Sequence, residues 1–349
     1  MTDRRNVRHG KPLAVAASGL GVVAAVLVST VLSVTGTDSA TPAHGTGSGA
    51  GSTAGQHRAV APAADPEPES CEDGENPARS LKPSSKSGPA VERIKERDRL
   101  VVGVDQNSYL WGFRDPATGK IDGFDIDLVR AVAEDLLGDD PEITYKTIPT
   151  DERIPAIKNR DVDMVVRTMT VNCKRIKEVA FSTAYFEAGQ QLLVPKDDDG
   201  GVEGFDASMR GKRLCFAKGS TAQTLMKSGE YRRLGAEPVE VANQLDCLVR
   251  LQLGQADAVL TDSALGAGQA AQDPSVELIG EPVTAEPYGV AMNLKDEDLV
   301  RRVNNVLDDY RDGGDDSPWR TSYDKWLADD IMGTDEGKEP SPPKPKYRD

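Results

Sequence analysis

The sequence predicts an α/β protein of two lobes joined by two crossing strands, with a ligand in the cleft between them. Three observations carry this. Two βα series of about a hundred residues each follow one another between Val91 and Ile279. A last strand and two helices, Tyr288 to Leu327, then close the chain and are placed to return to the first lobe. Between the two series, the stretch from Arg167 to Gln191 turns from a β-prone run to Arg167, Thr168, Thr170, Asn172, Lys174 and Arg175. Hydroxyls just past a strand's end, followed by a guanidinium, suit a small carboxylate, and open α/β sheets place ligands at the carboxyl ends of their strands. As a bare pattern, the same residues also describe an ordinary charged loop.

Residues 1–12 carry Arg4, Arg5, Arg8 and Lys11 and read as a cytoplasmic basic tail. Residues 13–35 are uncharged and mainly apolar, long enough for a transmembrane signal anchor. The core exceeds a usual signal-peptide h-region, and Asp38-Ser39-Ala40 is a poor cleavage site. The expected location is therefore the cell membrane, single-pass, with the folded part extracytoplasmic. Residues 36–90 are rich in Gly, Ser, Thr, Ala and Pro and read as a disordered tether.

The first series predicts a strand at Leu100 to Val104 and a helix at Phe124 to Leu137, stopped by Gly138. A strand at Ile143 to Ile148, a helix at Asp151 to Arg160 and a strand at Val162 to Val166 follow. The second predicts strands at Gln191 to Val194, Arg213 to Phe216, Val239 to Ala242, Ala258 to Leu260 and Val276 to Ile279. Its helices are Thr221 to Ser228, Asn243 to Leu253 and Ser263 to Ala271. Tyr288 to Met292 reads as a return strand, and Asp296 to Tyr310 and Pro318 to Leu327 as closing helices. Lobe 1 is thus expected over 91–190 plus 288–331, lobe 2 over 191–287, and a Pro-rich extended tail over 332–349.

A net charge of -15 argues against nucleic acid as a partner of the folded part. All three histidines, His9, His44 and His57, precede the folded region. That removes Ser/His and Cys/His catalytic pairs and a His-bearing zinc site, and no cofactor or metal is expected.

Seven segments in order carry a family resemblance: VVGVD, DPATGKIDGFDIDL, ERIPAIKNRDVDMVV, TMTVNCKRIKEVAFSTAYFEAGQQLLV, GKRLCFAKGST, LQLGQADAVLTD and EPYGVAMN. Over about residues 91–330 the chain resembles the extracytoplasmic solute-binding proteins of polar amino-acid ABC transporters, solute-binding family 3. Within them it is most similar to an actinobacterial glutamine-binding subgroup. The resemblance implies a periplasmic-binding-protein-like type II fold and a monomer that closes over one polar amino acid. Its partner is then an ABC permease or a membrane sensor. The chain departs from most of the family in lacking a lipidation cysteine after its apolar run.

By that resemblance, Arg175 grips the ligand α-carboxylate, and Thr168 and Thr170 hydrogen-bond the same carboxylate or the ammonium group. Thr221, at the start of a helix, is the second lobe's carboxylate contact. Asp262 pairs with the α-ammonium, and Phe124 is an aromatic wall. Arg153 matches an arginine used by binders of acidic amino acids, with Asp151 or Asp163 as alternative ion-pair partners. Asp105 lies where some glutamine binders accept from the amide and some glutamate binders have arginine. These two signals oppose each other, which leaves the class at glutamate, glutamine, aspartate or asparagine. Dehydratase-type enzymes share the fold, but the histidine that such catalysis most often uses is missing.

Four cysteines in an exported chain predict two disulfides. Cys215 and Cys247 both fall in lobe 2, on a strand and on the helix beside it, which leaves Cys71 with Cys173. The alternative is a Cys71 that is free or joined to another molecule.

Overall fold

The computed structural model describes residues 67, 69–196, 201–330 and 341–348. The basic tail, the apolar segment and the first part of the tether lie outside the described residues. Among those described, no helix is long and apolar enough to cross a membrane.

Each lobe is built on a five-stranded sheet. In lobe 1 the strands lie in the order Ile143–Thr147, Leu100–Val104, Met164–Val165, Ala291–Met292, Ala180–Phe181. The first three are parallel, and Ala291–Met292 runs against both its neighbours. In lobe 2 the order is Glu237–Val241, Arg213–Ala217, Ala258–Asp262, Gln190–Pro195, Val276–Ile279. Here too three strands are parallel, and Gln190–Pro195 is antiparallel to both its neighbours. The Val/Leu/Ile-rich runs that flagged these strands are what sheets covered on both faces require.

Two short antiparallel strands, Phe186–Ala188 and Glu286–Tyr288, carry the chain between the lobes. The return strand expected over Tyr288 to Met292 is therefore two pieces, one in the crossing and one in the lobe 1 sheet. Gln190 already pairs with Asp262, so lobe 2 begins just before residue 191. Beneath the crossing lies an aromatic cluster of Trp111, Phe124, Tyr185, Phe186, Tyr288 and Trp319, mostly edge-to-face, with Trp111 and Phe186 centroids 4.7 Å apart. The helix Glu297–Arg311 returns to lobe 1 and buries Leu299, Val300, Val303 and Leu307 there.

The tether does not extend to residue 90. Ser80–Leu81 pairs in parallel with Tyr347–Arg348, and a helix starts at Pro89. Ser80 is buried; its Oγ donates to the Phe181 carbonyl at 2.6 Å and accepts from Asn304 Nδ2 at 2.8 Å. The end of the tail is docked as well, with Tyr347 Oη donating to Asp308 Oδ1 at 2.5 Å. Composition misses this because the segment is held chiefly by hydrogen bonds and a crosslink, with little apolar burial beyond Pro77, Ala78 and part of Leu81. The structure joins Cys71 to Cys173, and Cys215 to Cys247.

Candidate functional site

Between the lobes, Thr150, Arg153, Arg167, Thr168, Thr170, Arg175, Ser220, Thr221, Gln244, Asp262 and Leu265 line a small cavity whose water-accessible volume is about 10 Å³. That is room for about one water, so a ligand of amino-acid size enters only when the lobes part or the lining side chains shift. Both lobes contribute, and they are closed on one another. Thr150 N donates to the Ala242 carbonyl at 3.2 Å, and Arg175 Nη2 to the Gly219 carbonyl at 3.2 Å. Lys218 pairs with Asp151 at 2.8 Å across the rim.

Lobe 1 supplies the cations. Arg167 and Thr168 follow the strand Met164–Val165, where the sheet ends and the backbone turns out of it. Thr168 takes a left-handed conformation, φ 40°, that non-glycine residues rarely adopt. Its N–H is held by Asp125 Oδ2 at 3.0 Å, and Tyr185 Oη donates to the other oxygen at 2.7 Å. Burial nevertheless raises the Asp125 carboxyl to about 7. Asn172 Oδ1 accepts from Arg175 N at 2.8 Å, one residue from the Cys71–Cys173 bridge, which fixes the backbone that carries Arg175. Its guanidinium donates to the Thr170 carbonyl at 2.7 Å as well as to Gly219.

Lobe 2 and the crossing supply the carboxylates. Asp262 ends the strand Ala258–Asp262 and accepts from Tyr288 Oη at 2.7 Å and from Gln190 Nε2. Glu286 Oε2 accepts one hydroxyl from each lobe, Thr170 at 2.7 Å and Thr221 at 2.8 Å. Burial first, and then the Asp262 charge, raise the Glu286 carboxyl to about 7. Asp262 is likewise pushed up by burial.

Of the residues singled out in the sequence, Arg153, Thr168, Thr170, Arg175, Thr221 and Asp262 meet at this cavity. Phe124 does not. It is fully buried in the aromatic cluster against Trp111, Phe186 and Trp319, because the helix it begins packs its first turn into the core beneath the cleft. Asp105 stands behind the lining, in a buried ion pair with Arg167 at 2.8 Å. Glu286, Tyr288, Gln190 and the role of Arg167 were missed. One signal was present: Glu286 and Tyr288 are two apart, so they share a face of a strand that is otherwise apolar or proline.

The family model of bacterial extracellular solute-binding proteins, family 3, matches residues 100–329. The chain is 35% identical over 237 residues to the ABC transporter glutamine-binding protein GlnH of Bacillus subtilis (strain 168), covering 68% of this chain and 84% of that one. It is 36% identical to the glutamine-binding protein of Geobacillus stearothermophilus, over 66% of this chain and 86% of that one. Among solved structures it is similar to a mutant of ArgBP from T. maritima, with a TM-score of 0.63 and 30% identity, over 69% of this chain and all of that one.

Proposed function

The chain belongs to the bacterial extracellular solute-binding proteins, family 3, and from that premise we propose that Arg175 and Asp262 clamp the two charged ends of a polar amino acid as the lobes close. The domain is an extracytoplasmic binder of polar amino acids. One observation supports the residue roles above all: Arg175 lines the cavity with only backbone carbonyls as partners among the described residues. Burial makes its charge costly, and a ligand α-carboxylate held by paired bonds would offset that cost. Asp262, with Glu286 beside it, supplies negative charge for the α-ammonium. Thr170 and Thr221 bring one hydroxyl from each lobe, so a ligand contacting both stabilises the closed arrangement.

We read the protein as a binder and not a catalyst, held at the membrane by its N-terminal apolar segment and delivering its ligand to an ABC permease. The test is calorimetry with glutamate and glutamine on Arg175→Ala. Losing a buried charge-assisted contact costs ~2–5 kcal/mol, so affinity should fall by roughly 30-fold to several-thousand-fold with the fold retained. Binding of both amino acids within threefold of the unchanged protein would remove Arg175 from the site.

A further inference from the structure

Resting on the reading of Arg175 as the grip for a carboxylate, we propose that Glu69, clamped at the rim of the cleft by the Cys71–Cys173 bridge, opposes the incoming carboxylate and holds down the affinity of the site. The family model begins at residue 100, so Glu69 and Cys71 lie outside the module that it matches. Residues 69–81 nevertheless reach the cleft along lobe 1. Asn304 Nδ2 donates to the Leu81 carbonyl at 2.7 Å, Arg79 Nε to the Tyr347 carbonyl at 2.9 Å, and Glu75 pairs with Arg348 at 3.2 Å. A tight turn follows, in which Gly74 N donates to the Cys71 carbonyl at 2.8 Å and Cys71 N to the Glu75 carbonyl at 2.9 Å.

The bridge then fastens this segment to the loop that carries the ligand arginine. Next to it, Glu69 Oε2 accepts from Cys173 N at 3.1 Å. Cys173 stands two residues before Arg175, beside the Asn172 side chain that accepts from Arg175 N. One covalent bond and one hydrogen bond thus fix an exposed carboxylate on the turn from which Arg175 projects. That carboxylate has no ion-pair partner among the described residues.

A second cavity lies on the same turn. Its water-accessible volume is about 140 Å³, and it shares Thr150, Arg153 and Arg175 with the inner cavity. Asn172 and Lys174, the neighbours of Cys173, belong to its wall. Arg175 therefore faces both cavities, and the outer one is the side at which Glu69 is held. Burial works against the charged form of Arg175, while the charges of Glu286, Asp262 and Glu69 favour it. A negative charge that favours the guanidinium also repels a carboxylate seeking it. At an exposed rim this repulsion is modest and is screened by salt. Glu69→Gln isolates it, because the amide oxygen can still accept from Cys173 N while the charge is gone.

The test is calorimetry with L-glutamate and with L-glutamine on the full chain, purified in detergent, at about 10 mM and about 500 mM salt. Both amino acids bring an α-carboxylate to Arg175, so either one reports the effect. Glu69→Gln should bind about 2- to 5-fold more tightly than the unchanged protein at low salt, and within about 1.5-fold of it at high salt. With Cys71 and Cys173 both replaced by serine, the clamp is released, and adding Glu69→Gln should change affinity by less than about 1.5-fold. No gain at low salt, or a gain of equal size at both salt concentrations, overturns the inference and leaves the reading of the cleft standing. A low-salt gain that persists undiminished in the serine background overturns the part assigned to the bridge. Heat from neither amino acid with the unchanged protein overturns the cleft reading, and this inference with it.

Discussion

Gly268→Ala separates lobe closure from folding. Gly268 lies in the helix Ser263–Gln272 of lobe 2, and a Cβ placed on it would stand 2.8 Å from the Tyr109 carbonyl oxygen of lobe 1. That atom is backbone, so relief requires the lobes to part. Overpacking of this kind costs ~1–3 kcal/mol, and here the cost falls on the closed form alone. In the open form the substitution replaces a helix-interior glycine, which stabilises by roughly 0.5–1 kcal/mol. The two effects have opposite signs in different measurements. Ligand affinity, read by calorimetry, should fall by roughly 5- to 150-fold. The thermal midpoint of the ligand-free protein should hold or rise slightly. Affinity within twofold of the unchanged protein, with a raised midpoint, would show that the lobes do not meet at Gly268 when ligand is bound. A lowered midpoint without ligand would make the contact a permanent part of the fold.

Glu286→Gln keeps the shape at the crossing and removes a carboxyl raised from 4.5 to about 7. A raised carboxyl favours the fold below its unfolded value, and that contribution is lost as pH climbs to the folded one. Variant and parent should therefore match in stability near pH 4.5 and diverge up to about pH 7. Above that the variant should be more stable by on the order of 2–3 kcal/mol in denaturant titrations, and parallel curves across the range would refute the assignment. Replacing Cys71 and Cys173 together by serine opens a crosslink between residues 102 apart. It should cost ~2–5 kcal/mol and lower the thermal midpoint by roughly 4–20 °C, while an unchanged midpoint would mean the segment stays docked without the bond.

Much of this architecture follows from the sequence alone because it is local. The apolar run at Leu100–Val104 and the helical period of Phe124–Leu137 fix backbone conformation and the buried face within a few residues. Thr168, Thr170 and Arg175 were legible for the same reason: a strand ends, and polar residues follow at once. Phe124 was misplaced because periodicity marks it as buried without saying whether core or ligand covers it. Asp105 and Arg167 lie 62 positions apart, and Thr170 and Glu286 lie 116 apart. Nothing in either local pattern states that one will neutralise the other. Which charged groups of the cleft are already paired, and which are left for a ligand, is decided by distances of a few ångströms between distant segments. Those distances exist only once the two sheets and the crossing strands have packed.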